Sequence, residues 1–426
     1  MNIRLVDVRR EERAALLWSF LYFFSLLCGY YVLRPVRDEM GIQSGVQNLP
    51  WLFTATFLVM LAAVPLFGWL SARFPRRILL PAVYGFFIAN LLLFFAAFQF
   101  DALKVHAARV FFVWLSVFNL FAVSVFWSFM VDLYTVEQGK RLFGFIAAGG
   151  TTGAIAGPAL TATLVRTLGP IPLLIVSAFM LALAILCITR LSAWATHSKQ
   201  FSEGASAARG APLGGGIWDG LKEVCTSPYL LGICFYLFCY TVLSTVLYLE
   251  MARLVADAYH SPQERTHLFA TLDLVVNALT LATQVLLTAQ VIKRWGVTFT
   301  LALVPAVSII GFAGLALFPV LAFVIVFGVI RRAGEFALSR PARETLFTVV
   351  ARDQKYKAKN VIDTLVYRGG DALAGWFIAG LRGMGLALSG VAFTAVPLAM
   401  AWVAVAVWLG RRQQALAAKQ SVTSEE

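Results

Sequence analysis

Long runs of hydrophobic residues are the main pattern of the chain. Three of these runs occupy residues 49–70, 78–98 and 386–409, and each is close to the roughly 20 residues that a helix needs to cross a bilayer. The apolar residues are continuous and do not alternate with polar ones, which excludes the strands of an outer-membrane barrel. The pattern therefore predicts membrane-spanning helices.

About twelve such spans fit along the chain, with short turns between them. Their centres lie near residues 24, 60, 88, 119, 155, 181, 238, 279, 307, 330, 371 and 398. The longest polar stretch, residues 192–227, is rich in Gly, Ser and Ala and is typical of a linker. We therefore expect an all-α membrane protein of twelve transmembrane helices, with no soluble catalytic domain.

The composition supports the same class of protein. Of the 426 residues 60% are hydrophobic and 13% are charged, whereas a soluble domain is about half apolar and about a quarter charged. Five cysteines and four histidines show no disulfide framework and no metal-ligand spacing. No acid-rich motif and no Ser/His/Asp grouping is present, so we expect no enzyme activity, no cofactor and no metal.

The positive charges predict the orientation of the spans. Short cytoplasmic loops collect Lys and Arg, and most of the 35 Lys and Arg residues fall inside if the amino terminus is inside. Both termini are then cytoplasmic, and a first span without a signal-peptide cleavage pattern is retained. The net charge of +13 follows mainly from this bias, so we expect a cytoplasmic-membrane protein that binds no nucleic acid.

Two pairs of matching segments indicate an internal duplication. Arg73 and Arg294 each follow a span and precede an aromatic residue, and they lie 221 residues apart. The Gly149-Gly150 and Gly369-Gly370 pairs each follow a basic loop at an offset of 220. The chain is therefore predicted to consist of two six-helix bundles, residues 1–191 and 228–426, joined by residues 192–227.

The first of these loops resembles the loop signature of the major facilitator superfamily. The segment Gly68–Arg77 keeps the glycine and the basic residues of that signature, while Ala72 replaces its acid and Pro75 its second glycine. The resemblance implies two pseudo-symmetric bundles with a gating role for Arg73. The Gly153–Pro158 segment is similar to the start of an antiporter motif, although glycines spaced by four also allow close packing of helices.

Two charged segments have a narrower resemblance, to the plastid and intracellular-bacterial ATP/ADP translocases. The segment Tyr30–Asp38 is similar to one stretch of that family, and Arg340–Glu344 followed by Lys355–Asp363 and Arg368-Gly369 is similar to another. The resemblance implies nucleotide exchange, with Arg343, Glu344, Lys359 and Asp363 near the gate. Arg37 and Arg343 stand where that family has lysines, so the charge is kept.

Charges inside span 10 are expected to face a cavity, because an ionised side chain in hydrocarbon costs several kcal/mol. Arg331 and Glu335 are four residues apart on one helical face and are able to offset one another. Arg332 is rotated by about 100° and is predicted to be free for an anion. In the superfamily arrangement spans 1, 4, 7 and 10 line the central cavity.

The end of span 1 carries a second group of charges. Tyr30, Arg34, Arg37 and Asp38 lie on overlapping faces, and pairing of Arg34 with Asp38 leaves Arg37 as the surplus cation. A guanidinium binds phosphate or carboxylate in a two-pronged geometry. The alternative is that these arginines only extend to the lipid headgroups.

Span 8 contains Asp273 and Asn277, which are four residues apart. A buried acid is a candidate proton carrier, or a structural partner for a cation on a neighbouring helix. Glu250, at the outer end of span 7, is expected to lie in water. Aromatic side chains of spans 4 and 7 are able to stack on a planar ring in the cavity, although most aromatic residues must face lipid or other helices. These side chains are Phe126, Trp127, Tyr236, Tyr240 and Tyr248.

The basic loop of residues 352–359 is predicted to lie on the cytoplasmic side. Such clusters hold a bundle to anionic headgroups or pair with acids as an inner gate. A local pair between Lys359 and Asp363 is a third possibility. The sequence leaves these three roles open.

We therefore expect a secondary transporter that works by alternating access around a midplane site. The expected solute is an anionic, phosphorylated organic molecule, and the alternative is proton-driven transport of another metabolite or an amphiphile such as a lipid, through Asp273. The expected partners are this solute and membrane lipids, and the chain is expected to act as a monomer. The substrate-binding candidates are Tyr30, Arg34, Arg37, Arg331, Arg332, Glu335 and Arg368. The coupling or gating candidates are Asp38, Asp273, Asn277, Arg73, Arg343, Glu344, Lys359 and Asp363.

Overall fold

A computed structural model of the chain describes residues 8–74, 76–197, 217–351, 354, 358–359 and 362–423. This part of the chain is almost entirely helical and contains no strand. Its helices are α1 (Arg13–Gln43), α2 (Leu49–Arg73), α3 (Arg76–Ala97), α4 (Asp101–Leu133), α5 (Val136–Leu168), α6 (Leu173–His197), α7 (Ile217–Thr226), α8 (Pro228–Ala258), α9 (Pro262–Thr283), α10 (Ala289–Leu317), α11 (Leu321–Gly334), α12 (Arg340–Leu346), α13 (Tyr367–Gly383) and α14 (Leu388–Thr423). Short π-helical turns occupy Gln284–Thr288, Glu335–Ser339 and Ile362–Val366.

Within the described ranges, nine helices are long and apolar enough to cross a membrane. One of them, Pro262–Leu317, is 56 residues long and changes direction at Gly296, whose φ of 77° is non-helical. It therefore contains predicted spans 8 and 9. Predicted spans 10 and 11 correspond to α11–α12 and α13, which carry several charges. The structure is thus consistent with twelve spans.

The chain divides into two compact units. The first contains Met1–Ser44, Ala62–Pro212 and Tyr259–Leu274, and the second contains Gly45–Leu61, Leu213–Ala258 and Val275–Glu426. The first unit thus includes the beginning of α9, and the second includes the beginning of α2. The domain boundaries at 191 and 228 stay a prediction.

Each unit shows the same set of helix pairings. In the first unit α1 packs against α4, α5 and α6, and α3 packs against α4 and α6. In the second, α8 packs against α11, α13 and α14, and α10 packs against α11 and α14. Helices at corresponding positions of the two halves therefore have corresponding neighbours, as two pseudo-symmetric bundles require.

The glycines of α5 bring its backbone close to α1. A Cβ atom added at Gly149 or Gly153 would overlap the carbonyl oxygen of Phe20 or Phe24, and one added at Gly157 would meet Cys28. The packing explanation of this glycine series is thereby confirmed, because no larger residue fits at these positions.

The predicted linker is partly helical. Helix α6 continues to His197, and α7 occupies Ile217–Thr226 just before α8. This short helix was not predicted, because the whole segment of residues 192–227 was interpreted as a polar linker. Residues 198–216, between the two helices, lie outside the described residues.

Candidate functional site

The end of α1 carries a charged group that we call the α1 cluster: Tyr30, Arg34, Arg37, Asp38 and Asp273. All five residues belong to the first unit. The Arg34 Nε atom lies 3.6 Å from Asp273 Oδ2, and the Arg37 Nη1 atom lies 4.0 Å from Asp38 Oδ1. The pairing therefore differs from the expected one, in which Arg34 bonded Asp38. A long-range partner on α9 takes Arg34 instead.

Aromatic rings surround the arginines of the α1 cluster. The Arg37 guanidinium carbon is 4.1 Å from the centre of the Phe112 ring, and that of Arg34 is 5.8 Å from the centre of the Tyr31 ring. Tyr30 packs against Tyr31 and Phe118. Such contacts favour a cation by its attraction to the ring face, so these arginines are held among aromatic rings by the bundle.

A second ion pair connects α1 to α9 within the same unit. Glu39 is fully buried and accepts hydrogen bonds from Arg265 Nε at 2.6 Å and Nη2 at 2.7 Å. The Arg265 Nη1 atom donates to the carbonyl oxygen of Tyr259 at 3.1 Å. This two-pronged pair was not predicted, because the two residues lie 226 positions apart in the chain and only the tertiary structure brings them together.

The second unit holds what we call the α11 cluster: Arg331, Tyr240, Ser244, Tyr367 and Arg368. Arg331 is 3% exposed and donates from Nη2 to Ser244 Oγ. Its guanidinium carbon lies 5.5 Å from the centre of the Tyr240 ring. Its Nε and Nη1 atoms have no hydrogen-bond partner among the described residues. A buried cation with two unused donors is costly to keep unless an anion joins it.

The aromatic part of the α11 cluster connects Arg331 to Arg368. The Tyr240 and Tyr367 ring centres are 6.0 Å apart, and the Arg368 guanidinium carbon lies 5.4 Å from the Tyr367 ring centre. Arg368 Nη1 is 3.5 Å from Asp371 Oδ2, and Asp371 Oδ1 accepts from Thr245 at 2.8 Å. The cluster thus combines two guanidinium groups with two phenol rings.

Arg331 and Glu335 form no salt bridge, although the two opposite charges are close enough to attract each other. Glu335 is 2% exposed, and its Oε1 atom is 3.4 Å from Arg343 Nη1. The Glu335 backbone N–H still donates to the Arg331 carbonyl oxygen, as in an α-helix. The π-helical turn that begins at Glu335 instead changes the register of the residues after it, among them Arg343. Arg332 is half-buried and has a partner of its own, so Arg331, and not Arg332, carries the unused donors.

The remaining predicted residues lie at several separate places along the chain. Arg73 lies 5.6 Å from the centre of the Trp69 ring at the end of α2, and half-buried Asn277 follows Asp273 on α9. Lys359 bonds Glu344 at 2.5 Å. The side chains of Asp363 and Ala72, and all of Pro75, lie outside the described residues, as does most of the loop of residues 352–359.

Glu250 differs from the expectation that it lies in water. It is 1% exposed and pairs with Arg382 and, at 3.3 Å, with Arg253. Arg382 lies on α13, 132 residues after Glu250, and donates hydrogen bonds to its carboxylate. Sequence position alone does not reveal that contact.

Three residues of this region were missed in the sequence: Ser244 and Tyr367 of the α11 cluster, and Asp371 beside it. Ser244 follows Tyr240 by one helical turn, and Asp371 follows Arg368 by three residues, so helical spacing was a usable signal for both. Tyr367 directly precedes Arg368. None of them stands out in a chain with many aromatic and hydroxyl residues.

Two sets of corresponding helix pairings, with charged groups inside apolar helices, are typical of secondary transporters. The family model "Major Facilitator Superfamily" matches residues 14–348, and the chain belongs to that family. Its members are transporters and not, in general, enzymes. No curated protein sequence matches the chain.

Solved structures of other transporters share the fold. The nucleoside transporter NupG is 12% identical, with 96% of this chain and 99% of that chain covered and a TM-score of 0.62. A bacterial homologue of the iron transporter ferroportin is 12% identical, with 96% and 99% covered and a TM-score of 0.64. A bacterial homologue of the lysosomal transporter Spinster is 15% identical, with 96% and 97% covered and a TM-score of 0.54.

Proposed function

We propose that this chain is a secondary active transporter that moves an anionic, phosphorylated organic solute by alternating access. The unused Nε and Nη1 donors of buried Arg331 carry this proposal. The two donors point to opposite sides of the guanidinium, with Nη2 and its bond to Ser244 between them. An anionic oxygen at either donor would form a charge-assisted hydrogen bond and neutralise the buried charge, and the other donor would remain for a second polar group of the solute.

The rest of the α11 cluster fits a solute with a planar part. Tyr240 and Tyr367 lie side by side, with Arg331 over the first ring and Arg368 over the second. Phenol rings bind planar groups by stacking and offer hydroxyl groups for hydrogen bonds. The resemblance of Tyr30–Asp38 and Arg340–Glu344 to the ATP/ADP translocases supports nucleotide exchange as the specific form of this activity.

The proposed cycle depends on charge. An empty site leaves Arg331 unsatisfied, whereas a bound anion removes that penalty and lowers the cost of closing the site away from water. Transport would then occur as exchange, because the loaded carrier changes state more readily than the empty one. The charge distribution of the loops supports a cytoplasmic-membrane location with both termini inside, and we propose a monomer.

Uptake into liposomes tests the proposal. Vesicles that contain the purified protein and are loaded with ATP should take up labelled ADP at least tenfold faster than vesicles loaded with buffer. Arg331→Gln should abolish this uptake and Arg331→Lys should restore part of it, since a lysine keeps the charge but not the separate donors of a guanidinium. Lys104→Gln serves as the control, because Lys104 is exposed and pairs with Asp101 on the same helix.

Two results would overturn parts of the proposal. Equal uptake by loaded and empty vesicles would exclude exchange. If nucleotides, sugar phosphates and organic acids are all taken up as fast by Arg331→Gln as by the wild type, the anion site at Arg331 is wrong.

The alternative is proton-coupled transport of another metabolite or an amphiphile such as a lipid. The observation in its favour is Asp273, which is 2% exposed and whose Oδ2 atom lies 3.6 Å from Arg34 Nε. A proton on this carboxylate would release Arg34. Transport that is driven by a pH gradient in the wild type, and is insensitive to the gradient in Asp273→Asn, would favour this alternative.

A further inference from the structure

A cavity of about 310 Å³ lies where the start of α8, the turn after α12 and the end of α14 meet in the second unit. Its polar wall includes Arg412, Gln354 and Ser227, and its apolar wall includes Val350 and Trp408. It is remote in sequence from the α1 cluster and shares no residue with the α11 cluster. Nothing in the proposed transport cycle uses it.

A shallow groove of about 410 Å³ continues from this cavity along the outer face of α14. Trp408 and Arg412 line both. The groove is otherwise lined by Ala404, Val407, Arg411 and Ala415, which repeat at helical spacing and form one stripe. The stripe is apolar from Ala404 to Trp408 and basic at Arg411 and Arg412.

The length of α14 places this change of polarity at the membrane surface. Trp408 is about 20 residues after Leu388, the first residue of the helix, which corresponds to about 30 Å or one hydrocarbon thickness. Trp is enriched at the boundary between hydrocarbon and headgroups. Arg411 and Arg412 follow within about one turn, at the level of the headgroups on the side of the carboxyl terminus.

The two arginines are available to an anion. Both are exposed, and neither forms an ion pair with any residue that the structure describes. Hydrogen bonds join the segments that surround the cavity. Tyr229 donates to the carbonyl oxygen of Leu346 at 2.9 Å, and Gln420 donates to that of Val349 at 3.3 Å. Gly232 leaves space for the Trp408 ring, which a Cβ at that position would displace.

We infer that this cavity and groove bind one anionic phospholipid. The phosphate diester would lie between Arg411 and Arg412, the glycerol part in the cavity beside Gln354 and Ser227, and one acyl chain along Ala404 and Val407. A headgroup alone would use only the basic turn. A zwitterionic lipid such as phosphatidylcholine offers the same phosphate diester but also a choline cation, which the arginines repel, whereas a lipid with net negative charge is attracted. The adjoining apolar stripe and the two arginines, which form no ion pair among the described residues, therefore select an acidic lipid.

Native mass spectrometry of the protein released from mixed micelles tests this inference. With equal amounts of dioleoyl-phosphatidylglycerol and dioleoyl-phosphatidylcholine, we expect preferential retention of the former. Each basic residue at an acidic membrane surface contributes roughly fivefold to association, so Arg411→Gln/Arg412→Gln should reduce the preference by an order of magnitude or more. Ala404→Phe should also weaken retention, because it fills the groove while both arginines remain.

Arg190→Gln is the matched control, since Arg190 lies 221 residues before Arg411, near the end of α6. It should retain phosphatidylglycerol as the wild type does. Three results would overturn the inference: unchanged preference in the double variant, an equal loss in Arg190→Gln, or retention of glycerol phosphate to the same extent as the lipid. Because the readout is lipid retention, failure here leaves the transport proposal unaffected, and failure of nucleotide exchange leaves this site unaffected.

Discussion

Buried charged side chains in this protein differ in how many of their polar atoms form hydrogen bonds. Fully buried Glu39 receives two short hydrogen bonds from Arg265. Arg331, nearly as buried, bonds Ser244 and leaves two nitrogens unused. The first arrangement stabilises the fold as it stands. The second leaves a buried charge with two nitrogens that have no hydrogen-bond partner among the described residues, and this is the arrangement that the proposed anion would complete.

This difference predicts opposite effects of two neutral substitutions on stability. Glu39→Gln should lower stability by about 3–5 kcal/mol, because Arg265 is left without its partner. Arg331→Gln should leave stability unchanged or raise it by about 1–2 kcal/mol, because it removes an unsatisfied charge. Thermal unfolding in detergent without added solute measures both. A loss in Arg331→Gln as large as that in Glu39→Gln would show that Arg331 is structural.

At the scale of helices, glycines allow close packing, and side chains from a neighbouring segment stabilise the π-helical turns. The glycines of α5 allow its backbone to reach α1. The π-helical turns at Gln284–Thr288 and Glu335–Ser339 lie together, since Thr288 Oγ1 donates to the Ala337 carbonyl oxygen at 2.8 Å and Gln284 Nε2 donates to that of Phe336 at 3.2 Å. A π-turn leaves carbonyl groups poorly bonded within its own helix, and these side chains supply the missing donors.

Two glycines of α5 predict different responses to a larger side chain. Gly153→Ala should destabilise the protein by about 1–3 kcal/mol, because its Cβ would overlap the backbone of Phe24 in a tightly packed interface. Gly144→Ala is the matched control on the same helix, with open space where the Cβ would lie. It should be neutral or stabilising by up to about 1 kcal/mol. Equal behaviour of the two variants in thermal unfolding would contradict the close approach of α5 to α1.

At the scale of the whole molecule, a cluster near the amino terminus links segments that are distant in sequence. Glu12 is 3% exposed and accepts from Arg141 Nη2 at 2.9 Å and Gln138 Nε2 at 3.0 Å. Burial alone would raise the pKa of Glu12, but the hydrogen bonds from Arg141, Gln138 and the Arg9 backbone outweigh it, so the pKa lies below its ordinary value of 4.5. The start of the chain is thereby held to the start of α5.

This cluster predicts a pH dependence of stability. Because the pKa of Glu12 is lower in the folded state, its contribution is complete above pH 4.5 and is lost as the pH falls through the lower folded value. Arg141→Gln should therefore reduce stability by about 1–3 kcal/mol at neutral pH. The difference from the wild type should disappear in strongly acidic solution. Thermal unfolding of both proteins between pH 7 and pH 3 measures it, and a difference independent of pH would contradict the role of the Glu12 charge.

The hydrophobic pattern was enough to predict the class of fold. Continuous apolar runs of membrane length can only be helices in a bilayer, since the backbone must satisfy its own hydrogen bonds there. The matching Arg73 and Arg294, and the two glycine pairs, predicted the repeat that the helix pairings display. Both signals depend on local sequence, so no tertiary information was needed.

The partners of the charged residues were decided only by the tertiary structure. Helical spacing suggested Arg34 with Asp38 and Arg331 with Glu335, yet Arg34 pairs with Asp273 on α9, and Glu335 pairs with Arg343 beyond a π-turn. The sequence by itself determined which residues are charged within apolar helices. Which charge is neutralised and which remains available depends on helix packing and on the π-turn, because electrostatic energy follows distance in space and not separation along the chain.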